Sequence, residues 1–306
     1  MKLKRDKVSF GRHEKFALRF TWLPKGIQAL ENDCKVFESD DATVKLGVGR
    51  NMVNAIRYWL RASQMIAVGS YEITDLGRVL LHPKTGYDPY LEDEATIWLL
   101  HWLVASNPDL ATSHFWFFNI FQKAEFTSEE LVTALGDFVK DTITIGRRPA
   151  KNTVLSDASV LSRMYTQSKI NHKMPLEEVL DSPFSALRLV ENKPGERIFV
   201  SRHIERPSLP VEILGYAVLS ALKDRGQQIV PVEDLMYSKD GRVVPGAVFR
   251  ISENDFIRKL ELLVKTMPEL ELRDSNGIHQ LFVLEDVAPE KLLKRYYETN
   301  RGAFAA

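Results

Sequence analysis

Cysteine is nearly absent from this sequence, since Cys34 is the single one among 306 residues. One cysteine excludes an internal disulfide and a zinc site built from several thiolates. Long apolar runs are also missing: the longest, 97–105, is interrupted by His101 and is far shorter than the ~20 residues of a membrane span. The basic N-terminus is not followed by the apolar stretch of a secretory signal. These absences predict a cytoplasmic protein with no membrane partner.

The sequence also lacks a glycine-rich phosphate loop, a nucleophile elbow and a zincin helix, which removes several enzyme classes. It has no overall excess of charge, because 41 basic residues balance 41 acidic ones. The charges are nevertheless segregated, with eight basic and two acidic residues from Lys2 to Lys25, and four basic and no acidic residues over 44–71. Segregated charge creates a local potential even at zero net charge. The N-terminal quarter is therefore the expected site for a polyanionic partner.

The first 85 residues carry the element order of a winged helix-turn-helix. Three segments of helical periodicity predict helices over 22–32, 39–45 and 50–64. Gly69-Ser70 then predicts a hairpin turn, and Thr74 is suited to cap a closing helix.

Residues 201–306 repeat this order, with predicted helices over 211–225, 232–237 and 252–266 and a hairpin turn at 274–277. The intervening segment 86–200 is predicted to be helical. We therefore predict a mainly α protein with a winged helix-turn-helix at each end of a central helical region, in three domains, 1–85, 86–200 and 201–306.

The predicted helix 50–64 is the strongest candidate for contact with DNA. At 100° per residue, its polar side chains lie within about 60° of one another on one face. This set, to which we add the neighbouring Asn51, comprises Arg50, Asn54, Arg57 and Arg61. Arginine and asparagine suit guanine and adenine edges in the major groove, and arginine also pairs with phosphates. The alternative is an ordinary solvated face, but such faces usually mix both signs and this one has no acid over four turns.

The opening motif Phe10-Gly-Arg-His-Glu-Lys-Phe16 permits two interpretations. His13 and Glu14 have the chemistry of an acid/base pair or of metal ligands. The favoured interpretation makes Arg12 and Arg19 phosphate contacts and His13 a hydrogen-bonded anchor. Lys25 extends the same basic stretch.

An acidic segment, 86–94, suggests a divalent metal site. Asp88, Glu92 and Asp93 are the candidate ligands for Mg²⁺ or Mn²⁺, since carboxylates hold Mg²⁺ in enzymes that cut phosphodiesters. Capping is the competing explanation: Asp88 would cap a helix starting at Pro89, and Glu92 and Asp93 would interact with the helix dipole. Asp157 is likewise predicted to be a helix N-cap.

Four motifs together resemble one bacterial family that was long known as a domain of unknown function. They are Phe10-Gly-Arg-His-Glu-x-Phe, Arg19-x-x-Trp22-Leu-x-Lys25-Gly, Gly47-Val-Gly-Arg-Asn-Met-Val53 and Asp88-Pro-Tyr-Leu-Glu-Asp93. Members of this family lie in operons that install phosphorothioate linkages in DNA as part of phage defence. The resemblance implies the DNA-nicking component of single-strand phosphorothioation. It also implies DNA, a reductase-like sulfurtransferase and an ATPase of the same operon as partners.

If the protein is a nickase, the resemblance places Glu92 and Asp93 first as catalytic candidates, because they stand in the motif most specific to the family. His13 and Glu14 come second, and Mg²⁺ or Mn²⁺ is the implied cofactor. The other function class is a non-catalytic DNA-binding adaptor or transcriptional regulator that recruits the modification partner. The sequence leaves open whether the chain forms a homo-oligomer.

Overall fold

The computed structural model describes residues 1–146, 148–167, 182–275 and 277–300. This part of the chain contains thirteen α-helices and two small three-stranded sheets, so the prediction of a mainly α protein is confirmed. The chain divides into two compact units. The first unit comprises Lys4–Trp116 and Lys123–Arg202, and the second comprises Met1–Leu3, Phe117–Gln122 and the residues from His203 onward.

Eight helices begin in the first unit. They are α1 (Trp22–Asn32), α2 (Ala42–Leu46), α3 (Arg50–Ala62), α4 (Asp75–Leu81), α5 (Glu94–Ala105), α6 (Thr112–Asn119), α7 (Ser128–Thr142) and α8 (Lys151–Tyr165). A 3-10 helix spans Pro183–Leu187. Three two-residue strands form an antiparallel sheet in the order β1-β3-β2, namely β1 (Glu125–Phe126), β2 (Glu191–Asn192) and β3 (Phe199–Val200).

Residues at the ends and contacts of the N-terminal helices explain where these helices end and how closely they pack. Gly47 ends α2 with φ +60°, a left-handed conformation that glycine adopts without a Cβ penalty. Thr74 caps α4 as predicted, since its hydroxyl accepts a hydrogen bond from the Gly77 backbone N–H at 3.0 Å. Gly26 lets α1 approach α3, because a Cβ there would lie 2.6 Å from Leu60 Cδ1. The predicted hairpin is reduced to one antiparallel bridge, between Ile66 and Ile73.

Helix α5 lies inside the first unit, where every residue from Ala95 to Ala105 is buried. It begins at Glu94, so the prediction of a helix starting at Pro89 is wrong. The reason is local: Leu91 has φ +59°, which breaks the helical path between the two positions. No large sheet occurs over 86–190 in the described residues, in agreement with the helical prediction for this segment.

The second unit contains five helices and the larger sheet. The helices are α9 (Val211–Arg225), α10 (Glu233–Met236), α11 (Pro245–Val248), α12 (Glu253–Thr266) and α13 (Glu290–Asn300). The strands, in the antiparallel order β4-β6-β5, are β4 (Ile229–Pro231), β5 (Leu270–Ser275) and β6 (Ile278–Val283). None of the helices in the described part of the chain is long and apolar enough to cross a membrane.

Arg250 is the central polar residue of the second unit. It is 1% exposed and its guanidinium donates hydrogen bonds of 2.8 Å to the backbone oxygens of Phe117 and Phe121. The same group lies 5.6 Å from the ring centroid of Phe118. Burial and the charge of Arg206 lower the pKa of Arg250 to about 10, so the guanidinium remains charged at neutral pH.

Candidate nucleic-acid interface and carboxylate segment

Helix α3 has one buried and one polar face, as its periodicity predicts. Trp59 and Leu60 are fully buried, which fixes the rotation of the helix. On the opposite side, Arg50 and Asn51 are exposed at the first turn. Gly49 precedes them as an N-cap without a side-chain hydrogen bond, and the first turn contains no acidic residue. The N-terminal end of α3 therefore presents cationic and amide groups to solvent.

Further along α3, the polar side chains are fixed by contacts with the segment after the helix. Arg57 donates a hydrogen bond to Asn54 Oδ1 at 3.1 Å and another to the Tyr71 hydroxyl at 3.4 Å. Arg61 donates to the Ser70 backbone oxygen at 3.2 Å and lies 5.3 Å from the centroid of the Tyr71 ring. The structure thus joins Asn54, Arg57 and Arg61 into one network, and it orients them against the turn over 66–73.

Carboxylates are missing from this network. Within the ranges that the structure describes, Arg50, Arg57 and Arg61 form no ion pair with an acidic side chain. The hydrogen-bond partners of Arg57 and Arg61 are neutral, so the positive charge of the helix face is not compensated locally. Uncompensated arginine charge on one face is the electrostatic property that a phosphate backbone requires.

The remaining predicted DNA contacts lie on the arm before α1 and on α1 itself. Arg12 is exposed, and Lys25 is half-buried in α1. The Arg19 guanidinium lies 5.3 Å from the centroid of the Trp22 ring, an indole that is almost fully buried. Glu14 is exposed, with φ +51°. These side chains are therefore placed by the arm and by α1, and not by α3.

His13 lies in a buried polar cluster that the sequence did not reveal. Its side chain is 1% exposed, and its Nε2 atom lies 3.4 Å from Asp157 Oδ1 in α8. Asp157 Oδ2 accepts a hydrogen bond from the Gly11 backbone N–H at 2.8 Å, and Asp157 Oδ1 accepts one from Ser113 Oγ at 3.2 Å. His13 Nδ1 accepts from the Lys15 backbone N–H at 3.1 Å, which leaves the proton on Nε2, facing Asp157.

Burial governs the protonation of groups around this cluster. The pKa of His114 is lowered to about 3, first by burial and then by the charges of His13 and His101. The pKa of Tyr58 is raised well above its ordinary value by burial and by the nearby Asp157 carboxylate. His114 is therefore neutral, and Tyr58 is protonated, throughout the physiological range. The contacts of this enclosed cluster connect the arm to α8.

The prediction that Asp157 is a helix N-cap is wrong. Asp157 lies inside α8 and does not cap it, because the helix begins at Lys151 and not at 157. A signal was present: Val154, Ala158 and Leu161 place Asp157 on the apolar stripe of the helix. An acidic residue on a buried stripe requires a polar partner, and here the partner comes from the arm.

The acidic segment forms a tight turn in which two of the three candidate carboxylates accept backbone hydrogen bonds. Asp88 is 5% exposed; its Oδ1 accepts from the Glu92 backbone N–H at 2.8 Å and its Oδ2 from that of Asp93 at 3.1 Å. Asp93, also buried, is the N-cap of α5 and accepts from the Ala95 N–H at 2.9 Å. Glu92 is exposed. Asp93 therefore caps α5, whereas Asp88 holds the turn before the helix and caps no helix itself.

This arrangement does not fit a magnesium site with three protein ligands. Mg²⁺ prefers near-octahedral oxygen coordination, and the Asp88 carboxylate is held in place by the backbone N–H groups of Glu92 and Asp93. In the described part of the chain, no group of three or more His, Cys, Asp or Glu side chains is arranged to hold a metal ion. Among the three candidate ligands, Glu92 is the one whose side chain is exposed to solvent.

Comparison with known proteins places the chain in a family. Residues 10–297 match the model of a family described as a protein of unknown function, DUF4007. A crystal structure of SspB superposes with a TM-score of 0.83 at 30% identity, covering 96% of this chain and 89% of that chain. A magnesium ion-bound crystal structure of SspB gives a TM-score of 0.82, with the same identity and coverage. No curated protein matches the sequence. The chain therefore belongs to the DUF4007 family and has the fold of SspB, which confirms the resemblance carried by the four motifs.

Proposed function

We propose that this protein is the SspB-type, DNA-binding component of a bacterial DNA phosphorothioation and phage-defence system. The observation that carries the proposal is the face of α3, where Arg50, Arg57 and Arg61 form no ion pair with a described acidic residue. In this proposal Arg50, Asn51 and Asn54 meet base edges or phosphates, and Arg57 and Arg61 meet phosphates from their fixed positions. Arg12, Arg19 and Lys25 add phosphate contacts from the arm and α1. A reductase-like sulfurtransferase and an ATPase of the same operon are the proposed protein partners, and a second copy of this chain is a further candidate partner.

We further propose that the two ends of the chain are winged helix-turn-helix domains. Around α3 the order is α1, α2, α3, the Ile66–Ile73 bridge and α4. In the second unit the order is α9, β4, α10 to α12, and then the β5–β6 hairpin, with β4 pairing with β6. In such domains the helix before the hairpin enters the major groove. Because Arg258 on α12 pairs with Asp255, we assign DNA contact to α3 and a protein interface to α12.

Fluorescence anisotropy with labelled duplex DNA, repeated at several salt concentrations, tests this function. The informative double variant is Arg12→Ala/Arg50→Ala, because both side chains are exposed and their removal spares the packed core. If both residues neutralise phosphates, the slope of log affinity against log salt falls by about 0.9 for each phosphate that is no longer neutralised. The matched control is Lys140→Ala/Lys265→Ala, which removes two positive charges from exposed positions on α7 and α12. Equal affinity and equal slope in the two double variants would refute the proposed interface.

Strand nicking is a second candidate function, favoured by the existence of a magnesium ion-bound SspB structure. Under this candidate the protein opens one strand for a sulfur-inserting partner, with Mg²⁺ or Mn²⁺ as cofactor. Glu92 is our first catalytic candidate because its carboxylate is exposed, followed by Asp93 and then by His13 and Glu14. We assign no step to the metal, since Asp88, Glu92 and Asp93 do not fit three direct ligands.

Conversion of supercoiled plasmid to open circles, with Mg²⁺, Mn²⁺ or a chelator, separates nicking from a non-catalytic adaptor role. Glu92→Gln is compared with Glu94→Gln, an exposed glutamate two residues away that serves as the matched control. Loss of nicking only in Glu92→Gln supports the assignment. If Glu92→Gln and Asp93→Asn both nick at the full rate, His13 and Glu14 become the catalytic candidates. Full activity in Glu14→Gln and His13→Gln as well, or none in the wild type, favours a DNA-binding adaptor or transcriptional regulator.

A further inference from the structure

The second unit contains a polar cavity that the proposed DNA interface does not use. It has a volume of about 290 Å³ and lies beside the C-terminal end of α9. The lining comprises Arg225, Gln227, Asp234, Tyr237, Lys239, Asp240, Arg242 and Val244. All of these side chains except that of Val244 are charged or can form hydrogen bonds. Ligand cavities usually measure about 300–1,000 Å³. A cavity at the lower end of that range, with polar walls, suits one charged group better than a whole apolar molecule.

Three cations line this cavity, and the acidic side chains neutralise two of them. Arg242 pairs with Asp240 at 2.8 Å, and Lys239 pairs with Asp234 at 3.1 Å. Arg225 forms no ion pair with any described acidic residue, and its only hydrogen bond to a described partner is from Nη2 to the Asp234 backbone oxygen, at 2.9 Å. After pairing, one positive charge therefore remains on Arg225.

Arg225 also has a buried donor that no described group accepts. Its Nε atom is inaccessible to solvent and lacks a hydrogen-bond partner among the described residues. Because Nε is enclosed, the Nη groups of Arg225 are the atoms that can donate to an anion in the cavity. Burial, and then the charge of Arg242, lower the pKa of Arg225, whereas the charges of Asp234 and Asp240 raise it.

We propose that this cavity binds a phosphate monoester group, with Arg225 as the principal ligand and Arg242 and Lys239 as secondary ones. Arginine matches phosphate because its planar fork donates two parallel hydrogen bonds to two oxygens. The lining also supplies the Gln227 amide and the Tyr237 hydroxyl as further donors, and a phosphate has more acceptor oxygens for such a set than a carboxylate has. The group is carried either by a free nucleotide or by a DNA 5′ end, and the second source rests on the proposed function.

Isothermal titration of the full chain with inorganic phosphate, at constant ionic strength, tests the site independently of DNA binding. We expect saturable binding that Arg225→Gln weakens at least about tenfold, which corresponds to about 1.4 kcal/mol. Arg242→Gln provides a second test, because Arg225→Gln also removes a hydrogen bond to the backbone of Asp234. Lys265→Gln, an exposed cation on α12, is the control and should bind phosphate as the wild type does.

The source of the group is identified with two further probes, a deoxynucleoside 5′-monophosphate and a pair of oligonucleotides with 5′-phosphate or 5′-hydroxyl ends. A preference for the mononucleotide over inorganic phosphate identifies a free nucleotide, and a preference for the 5′-phosphorylated oligonucleotide identifies a DNA end. No saturable binding of phosphate to the wild type would overturn the proposal. Unchanged binding in folded Arg225→Gln and Arg242→Gln would overturn it as well. Either result leaves the interface on α3 untouched, since that is measured with Arg12→Ala/Arg50→Ala.

Discussion

The imidazole Nε2 of His13 lies 3.4 Å from Asp157 Oδ1, inside the first unit. The contact joins the arm to α8, and the Gly11 backbone N–H donates a hydrogen bond to the same carboxylate. Because His13 is buried while Arg12 is exposed, the anchor presents the neighbouring arginine to solvent. His13 is thus buried and hydrogen-bonded in the arm, and contact of Arg12 and Arg19 with phosphates remains a prediction.

Removing the Asp157 carboxylate should destabilise the protein strongly. Asp157→Ala leaves the Gly11 N–H and the Ser113 hydroxyl without their acceptor, and each unsatisfied buried group costs about 1–3 kcal/mol. We therefore expect the free energy of unfolding, measured with urea, to fall by about 2–5 kcal/mol. Asp137→Ala, at an exposed position on α7, is the control and should leave this free energy unchanged. Equal stability of the two variants would contradict the anchoring role.

Three substitutions in the acidic segment should differ in their effect on the free energy of unfolding. Asp88→Ala should cost about 1–3 kcal/mol for each of the two backbone N–H groups that lose their acceptor. Asp93→Ala should cost about 1 kcal/mol through loss of a helix cap. Glu92→Gln should leave the free energy of unfolding unchanged, because its side chain is exposed. A large destabilisation in Glu92→Gln would show that this carboxylate has a structural partner and would weaken its candidacy for catalysis.

Arg250→Met tests the central polar residue of the second unit. The substitution removes two hydrogen bonds from a charged donor to the oxygens of Phe117 and Phe121, and such bonds contribute about 1.5–3 kcal/mol each. We expect the free energy of unfolding of the second unit to fall by at least about 3 kcal/mol. Lys223→Met, exposed on α9, is the matched removal of one positive charge. Similar urea midpoints for the two variants would contradict this account.

Local signals allowed much of the fold to be predicted. The bounds of α1 and α9 agree with the predicted 22–32 and 211–225, because apolar periodicity coincides there with clear ends. Helix α7 also begins with a local signal, because Thr127 and Glu130 form the reciprocal hydrogen bonds of a capping box. The bounds of a helix can be predicted from sequence where the apolar periodicity and the capping residues both lie within the helix and its immediate neighbours.

The site was less readable because its decisive contacts join residues far apart in sequence. No residue near His13 in the sequence indicates a contact with Asp157. The sequence also does not distinguish an aspartate that caps a helix from one that is buried inside it. The spacing of the residues in α3 predicted its basic face. It did not predict the contacts of Arg57 and Arg61 with Tyr71, which lies in the segment after the helix. Polar groups buried by tertiary packing thus escape a prediction based on periodicity.

The pH dependence of stability should report the burial of His114. Its pKa is about 3 in the folded protein, against an ordinary value of 6.5. Between these values the unfolded chain binds one proton more than the native state, so the free energy of unfolding rises with pH by about 1.4 kcal/mol per unit. Stability conferred by neutral His114 is present above pH 6.5 and is lost as the pH falls. Between pH 6.5 and 5 the loss from this residue should be about 2 kcal/mol.

The measurement is urea unfolding of the wild type and of His114→Leu at several pH values from 5 to 7.5. This window lies above the ordinary pKa of carboxylates, so acidic residues contribute little to the slope. The variant has lower stability overall but should show a smaller pH dependence, because leucine does not titrate. A residual slope is expected from His203, whose pKa is lowered to about 4 by burial and by the charges of Arg250 and Arg206. Parallel pH profiles for the two proteins would show that His114 titrates normally in the native state and that the cluster around His13 is open to water.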